Sequence, residues 1–337
     1  MSKLKNLFAS VIAILAVGCG NPMDGQAPVG EEDTSPDFQT SQGAVSAGYF
    51  NTYTDVVASL PNGNGCGVTQ GFTTGSTYAY TVKITSDESK QVIYRTNMTD
   101  GSTTLMTNGD NGTTYATYLG HANDIVLASI NSTTYMYVVT MKADSYAVVK
   151  LRYSGSTFYK AGNYSISLGG TARSMSAIKI LSHDNTTVNF IFKAGASLYK
   201  GSIGATASSG TITVSSAFSL DFAHSTINGS ALDASAYISQ GMGLYNGDLY
   251  VPLTAGAGGA TGGNVSVVLV YRDASTRTGS ITNDSGTTFR ITSGAYPYLF
   301  EIESVSVGPD GKLWFATNRK KDSADSTHDS VSYFNGF

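Results

Sequence analysis

The sequence predicts an all-β fold, and three observations lead to this prediction. Charged residues make up 13% of the 337 residues, too few for the polar faces of long amphipathic helices. From residue 45 onward the apolar residues alternate or form short runs rich in β-branched and aromatic side chains, which is the pattern of strands. Turn sequences separate these runs, among them Asn62-Gly63, Asn246-Gly247 and Pro309-Asp310-Gly311.

The first 18 residues are expected to be a signal peptide. Lys3 and Lys5 precede the apolar run Leu7 to Val17, which is shorter than the roughly 20 residues that a membrane-spanning helix needs. The sequence Ala16-Val17-Gly18-Cys19 then resembles a bacterial lipobox, so we expect Cys19 to be lipidated. This predicts a location in the bacterial cell envelope, anchored to the membrane through Cys19 and facing the extracytoplasmic side. An ordinary cleaved signal peptide is the alternative.

Residues 19–43 are expected to be an acidic, proline-containing linker. Pro, Asp and Glu are frequent there and large apolar residues are almost absent, which is typical of a solvated tether. Residues 44–337 are then expected to form a single domain, most simply a monomer. The net charge of −4, without a basic stripe, argues against nucleic acid as a partner.

A unit of sequence recurs five times within this domain. In each copy a polar residue, a small or short residue and an apolar residue open a strand, and a turn and a Tyr- or Trp-containing strand follow. We call these three-residue segments the openers, and their first residues are spaced by 53, 53, 64 and 63 residues. The openers are Gln70-Gly71-Phe72, Asn123-Asp124-Ile125, Ser176-Ala177-Ile178, Gln240-Gly241-Met242 and Glu303-Ser304-Val305. This spacing suits the four-stranded antiparallel blade of a β-propeller, so the sequence predicts a five-bladed β-propeller.

The two ends of the domain support a closed ring. After Glu303 there is room for about three strands, the last of them Ser330 to Phe334. We expect the N-terminal strand Tyr53 to Leu60 to supply the missing outer strand, because closure removes the exposed edges of an open sheet. A β-sandwich is the alternative architecture.

The openers also predict a candidate site. If they begin the innermost strands, they surround one mouth of a central channel, with His121 and Glu301 two residues earlier on the same face. Polar groups that converge on a concavity are the default hypothesis for a binding site, whereas a channel that only holds water is the alternative. The candidate ligand residues are Gln70, His121, Asn123, Asp124, Ser176, Gln240, Glu301 and Glu303.

Acid–base chemistry is open to two pairs, Glu301 with Glu303 and His121 with Asp124. Same-face neighbours on a strand lie about 6.6 Å apart, near the border between the carboxyl spacings of retaining and inverting glycosidases. A divalent cation bound by Glu301, Glu303 and His121 is a further hypothesis, although no motif requires a cofactor. Structural carboxylates bonded to backbone amides are the alternative, so the sequence leaves open whether the protein is an enzyme.

Phe300 to Val307, the Gln240 strand leading to Asp248-Leu249-Tyr250-Val251, and Gly120-His121-Ala122-Asn123-Asp124 resemble segments of the helveticin J-like proteins. These are bacterial secreted proteins that include large bacteriocins. The resemblance covers roughly residues 65 to 337 and implies a propeller fold and an antibacterial role. It assigns no catalytic or receptor-binding residue.

Three functions are therefore expected, in this order. The first is a surface-tethered module that binds a cell-wall glycan or a similar extracellular ligand. The second is an antibacterial protein, and the third is a propeller-type hydrolase that uses Glu301 and Glu303 on a glycan or lactone.

Overall fold

The computed structural model describes residues 52–232, 234–255 and 265–337. The signal peptide, the lipidated Cys19 and the linker predicted for residues 1–43 lie outside the described residues. Helical structure in the described ranges consists of two 3₁₀ turns, Ala234–Ala236 and Ala274–Thr276. No helix in this part of the chain is long and apolar enough to span a membrane. The all-β prediction is confirmed.

The described chain starts with one strand that belongs to the last sheet, and the next four strands form a first antiparallel meander in chain order. Tyr, Val and Ile side chains give the second and third strands of this meander their nearly continuous burial. The strands are β1 (Tyr53–Val57), β2 (Val68–Thr74), β3 (Tyr78–Ile84), β4 (Gln91–Asn97), β5 (Thr103–Leu105) and the short β6 (Thr107–Asn108).

The second and third meanders share one sheet. Their outer strands β10 and β15 pair in parallel, and their first strands β7 and β12 are in contact. The eight strands on the main path of this sheet, in the order β12-β13-β14-β15-β10-β9-β8-β7, nearly close around a core that includes Tyr137, Phe190 and Phe192. The strands are β7 (Asp124–Ile130), β8 (Thr133–Val139), β9 (Val148–Ser154), β10 (Thr157–Leu168), β11 (Thr171–Ala172), β12 (Ala177–His183), β13 (Thr187–Ala194), β14 (Ser197–Gly204) and β15 (Ser209–Leu220).

The fourth meander has an interrupted first strand. Two short strands, β18 and β19, both pair with β20; β20 pairs with β21, and β21 pairs with β23. A separate hairpin precedes this meander, and β22 pairs in parallel with β15. The strands are β16 (Ser225–Ile227), β17 (Ser230–Leu232), β18 (Ile238–Ser239), β19 (Gly243–Tyr245), β20 (Asp248–Thr254), β21 (Val265–Tyr271), β22 (Gly279–Ile281) and β23 (Phe289–Thr292).

The interruption falls on an opener that the sequence places inside a strand. Gln240, Gly241 and Met242 lie between β18 and β19. The backbone N–H of Gly241 donates to the carbonyl of Glu303, 2.7 Å away in the next meander, which takes it out of the local ladder. A side chain could not replace this glycine, because a Cβ would lie 2.8 Å from Ser304.

The last sheet contains both ends of the described chain. β24, β25 and β26 form a meander, and β1 pairs antiparallel with β26 to complete four strands. The register between β24 and β25 shifts at Glu303, which is therefore a bulged residue. The strands are β24 (Leu299–Val307), β25 (Leu313–Lys320) and β26 (Ser330–Phe334).

The first strands of the five meanders meet at the centre of the fold. Among the described residues, β2 contacts β7, β7 contacts β12, β12 contacts β19, β19 contacts β24, and β24 contacts β2. Apolar clusters fill the space between neighbouring meanders, such as the one that contains Phe72 and the buried Trp314. The centre, in contrast, receives the polar opening residues of each first strand.

Candidate functional site

A series of hydrogen bonds links the second, third and fourth meanders. Asn123 Nδ2 donates to the carbonyl of Ser176 over 2.7 Å. The hydroxyls of Ser176 and Ser239 accept from Lys193 Nζ over 3.3 and 2.9 Å. Asn123 and Lys193 are almost fully buried, whereas both serines are half-buried. Two predicted residues, Asn123 and Ser176, therefore belong to one network with a lysine that the sequence did not single out.

The contacts continue from the fourth meander through the fifth to the first. Gln240 Nε2 donates to Glu301 Oε1 over 2.6 Å. Asn318 Nδ2 lies within hydrogen-bonding distance of Glu301, Glu303 and the carbonyl of Thr69. The backbone N–H of Thr69 in turn donates to Asn318 Oδ1 over 2.9 Å. We call this set the polar belt and include in it Gln70, the opener residue that follows Thr69 on β2; its other members are Asn123, Ser176, Lys193, Ser239, Gln240, Glu301, Glu303, Asn318 and Thr69.

Two acceptor atoms of the belt lack a hydrogen-bond donor in the described part of the chain, Gln70 Oε1 and Glu303 Oε2. Both side chains are at least nine-tenths buried, Gln70 being 5% exposed and Glu303 1% exposed. A buried acceptor without a donor is costly, so such atoms call for a functional or ionisation-linked explanation.

The second and third residues of the openers form a closed layer next to the belt, and this layer is centred on Asp124. This carboxylate is fully buried; Oδ1 accepts from Lys179 Nζ over 2.6 Å and from Ser304 Oγ over 2.7 Å. Oδ2 accepts from the backbone N–H of Ile178 over 3.1 Å. These partners come from the third and fifth meanders, so one carboxylate connects three of the five first strands.

Ser304 connects the remaining two meanders to the same layer. Its hydroxyl lies 3.4 Å from the carbonyls of Phe72 and Met242, in the first and fourth meanders. Gly71 lets the strands approach closely, because a Cβ there would lie 2.6 Å from the carbonyl oxygen of Ala122. The layer therefore closes the centre of the fold, and Asp124 is a structural hub rather than a ligand-facing acid or base.

Burial shifts the pKa values of both Asp124 and its partner Lys179. Desolvation raises the pKa of Asp124 and lowers the pKa of Lys179, and their mutual attraction opposes both shifts. The ionised pair is favoured, because the two side chains are 2.6 Å apart and the carboxylate accepts from three further donors, Ser304 Oγ and the backbone N–H groups of Ile125 and Ile178.

The two predicted carboxyls of β24 converge on one nitrogen. Since Glu303 occupies the bulge, its carboxyl turns toward Asn318, the same side chain that lies beside Glu301. Burial raises the pKa of Glu303 well above its usual range, and the adjacent carboxyl of Glu301, which shares a hydrogen bond with it, raises it further. Burial and the neighbouring carboxyl therefore both favour the protonated form of Glu303.

His121 does not join these carboxyls. Its Nδ1 lies 2.8 Å from Glu88 Oε1 at the surface, and both side chains are partly exposed. The described residues contain no group of three or more His, Cys, Asp or Glu side chains that could hold a metal ion. The cation site expected from Glu301, Glu303 and His121 is thus not assembled, because the β2–β7 side of the fold directs His121 toward a neighbouring turn. The pairing of His121 with Asp124 is not formed either, since Asp124 points into the closed layer.

Lys179, Lys193, Asn318 and Ser239 are central in the structure but were missed from the sequence. The two lysines carry a detectable signal, because each directly follows buried apolar residues in its strand, as Lys193 follows Phe190-Ile191-Phe192. A lysine in that pattern needs a buried partner. Asn318 and Ser239 lie in ordinary strand sequence and have no comparable signal.

Comparisons with family models and with curated proteins do not assign this chain to a family. No family model matches the chain, and no curated protein matches it. The resemblance to helveticin J-like proteins stays a prediction.

Solved structures match at low similarity. A β-xylosidase superposes with a TM-score of 0.49 and 10% identity, covering 84% of this chain and 94% of its own. A GH43 β-1,3-galactosidase with galactodeoxynojirimycin superposes with a TM-score of 0.42 and 9% identity. The match covers 86% of this chain and 94% of the galactosidase. Regucalcin from Agrobacterium tumefaciens, a calcium-binding protein, superposes with a TM-score of 0.38 and 11% identity. The match covers 85% of this chain and 94% of regucalcin.

Proposed function

We propose that the five meanders are the blades of a five-bladed β-propeller closed by its N-terminal strand. The cyclic contacts among the first strands support this, as does the pairing of β1 with β26. In this arrangement the polar belt is one mouth of the central channel, and the Asp124 layer is its floor.

We propose that this mouth binds an extracellular polyhydroxylated ligand, a glycan of the cell envelope. The observation that carries the proposal is the Gln240–Glu301 pair, which is half-buried and held in place above a closed floor. An oriented carboxylate accepts hydrogen bonds from sugar hydroxyls, and an amide both donates and accepts. Preformed concave sites with a few fixed polar groups are typical of small-ligand recognition.

The carboxyl geometry favours binding over hydrolysis. Glycosidases hold their two carboxyls about 5–5.5 Å or 6.5–9.5 Å apart, with the glycosidic bond between them. Glu301 and Glu303 instead contact the same amide nitrogen and each other, leaving no room for a sugar ring between them. A hydrolase that uses these two residues as its acid and nucleophile is therefore disfavoured.

The proposed location fits such a ligand. Lipidation at Cys19 would place the domain at a membrane surface behind the 25-residue linker 19–43.

Binding is tested with a glycan array and with pull-down on purified cell-wall fractions. Glu301→Gln removes the acceptor charge and Gln240→Ala removes its positioning amide, and each is expected to weaken binding at least tenfold. Asp273→Asn is the matched control, because it removes one negative charge from a side chain that is 75% exposed and remote from the belt. Failure of the parent chain to bind any envelope fraction would refute the proposal.

A further inference from the structure

Lys193 has an unusual set of neighbours for a buried lysine. It is fully buried on β13, and among the described residues its Nζ makes hydrogen bonds with two hydroxyls, Ser239 Oγ at 2.9 Å and Ser176 Oγ at 3.3 Å. No ion pair with a carboxylate involves it in this part of the chain, because the carboxylate acting on it, Asp124, is bonded to Lys179. Burying a cation without its own counter-ion is costly, so a structural role alone does not explain the lysine.

This environment makes the amine a base near neutral pH. Burial lowers the pKa of Lys193 to about 8, and the attraction of Asp124 opposes this only in part. The groups that face Lys193 are Ser176 before β12, Ser239 on β18 and Asp124 on β7. A lysine neutral in part of the molecules at pH 7 to 8 can take a proton from a hydroxyl within hydrogen-bonding distance.

The two serines differ in what their hydroxyls do. Ser176 Oγ also donates to the carbonyl of Lys193 over 3.1 Å, so its proton is already engaged and it orients the lysine backbone and side chain. Ser239 Oγ contacts Lys193 Nζ at the shorter distance and is half-buried on a short strand beside Gln240. Ser239 is therefore the hydroxyl that can both reach a ligand at the mouth and lose its proton to the amine.

We propose that Ser239 and Lys193 form a nucleophile–base dyad that accepts an acyl group from a carboxylic ester. A nucleophile in contact with a base, itself oriented by a third group, is the arrangement that activates serine hydroxyls. The site is separate from the carboxyl pair, and it does not depend on glycan binding.

The reaction balances with the residues present. Neutral Lys193 Nζ takes the proton of Ser239 as Oγ bonds to the ester carbonyl carbon. The C–O bond of the ester then breaks, and the departing alkoxide takes the proton from Lys193. Lys193 next takes a proton from a water molecule as that water bonds to the acyl carbon. The bond between the acyl carbon and Ser239 Oγ then breaks, the carboxylic acid leaves, and Lys193 gives the proton to Oγ.

A fluorophosphonate probe tests the dyad, because it forms a stable bond to an activated serine with loss of fluoride. The purified chain is treated from pH 6 to pH 9, and the modified residue is located by peptide mass spectrometry. The expected adduct is on Ser239, and its rate of formation rises about tenfold between pH 7 and pH 9 as Lys193 loses its proton.

The variants separate catalysis from structure. Ser239→Ala is expected to remove the adduct, and Lys193→Met to slow it at least tenfold with an unchanged circular dichroism spectrum. Ser182→Ala, an exposed serine bonded to Asn189, is the matched control and is expected to change nothing. The parent chain is tested for both properties: an adduct on Ser239 without glycan binding refutes only the binding proposal, and glycan binding without an adduct refutes only the dyad.

Three results would overturn the dyad. They are no adduct on Ser239 at any pH, an adduct no faster than that on Ser182, and labelling that Lys193→Met leaves unchanged. If Lys193→Met does not fold, the pH profile of the parent chain decides, since a rate that does not rise between pH 7 and pH 9 contradicts a lysine base.

Discussion

Replacing Asp124 by Asn tests whether one buried carboxylate holds the centre of the fold together. The substitution keeps the shape of the side chain and removes its charge. Lys179 then remains fully desolvated, with the carbonyl of Ile125 at 3.0 Å as its other partner. Removing one partner of a buried ion pair costs about 3–5 kcal/mol. Domains are stable by about 5–15 kcal/mol in total, so the expected loss is a large fraction of the stability.

Urea unfolding measures this loss, with the single tryptophan as the probe. Trp314 is 1% exposed and packs between the fifth and first meanders, so its fluorescence reports on the central contacts. Asp273→Asn, which removes the same charge from the surface, is expected to change the unfolding free energy by less than about 0.5 kcal/mol.

A double-mutant cycle sharpens the result. In Asp124→Asn combined with Lys179→Met, neither charge is left unpaired, so the double variant is expected to lose less stability than the two single variants together, by about 0.5–3 kcal/mol. A loss of under 1 kcal/mol for Asp124→Asn, or strict additivity in the cycle, would refute the assignment of Asp124 as the hub.

Three further predictions concern the belt, the closed layer and the ring. Because the folded-state pKa of Glu303 is raised, its contribution is fully present below its ordinary pKa of about 4.5 and lost as pH rises through the folded value. Glu303→Gln is therefore expected to gain stability relative to the parent chain as pH rises, and parallel urea-unfolding curves against pH would contradict this. Gly71→Ala is expected to cost about 1–3 kcal/mol, because its Cβ would meet the carbonyl of Ala122, and a loss within error in thermal unfolding would count against the close packing. Deleting Tyr53–Val57 is expected to lower the unfolding temperature and promote association through the exposed edge of β26; a monomer of unchanged stability by light scattering and calorimetry would show that β1 does not matter for closure.

The strand pattern could be predicted from sequence because strands are local. Tyr78–Ile84, Val265–Tyr271 and Ser330–Phe334 are strands with the bounds expected from their runs of β-branched and aromatic residues. The openers were predictable for a related reason, since a polar residue at the start of an otherwise buried strand is conspicuous. Their mutual contacts through Asn123, Gln240 and Glu301 follow from that shared position.

The chemistry of the centre could not be predicted because it depends on partners far apart in sequence. Asp124 was expected to face a channel, but it binds Lys179, which lies 55 residues later on β12. Glu301 and Glu303 were expected at regular strand spacing, but a bulge turns both toward Asn318. A bulge leaves no reliable mark in a single sequence, and it brings both carboxyls to the same amide nitrogen.

Hydrogen–deuterium exchange with and without a bound envelope oligosaccharide tests the central claim most directly, because it locates the ligand on the fold. The proposed mouth predicts that protection on binding is concentrated in residues 239–241 and 299–303, and that Glu301→Gln abolishes it. Protection confined to the outer strands, such as β5 or β10, or protection that Glu301→Gln leaves intact, would contradict a ligand site at the polar belt.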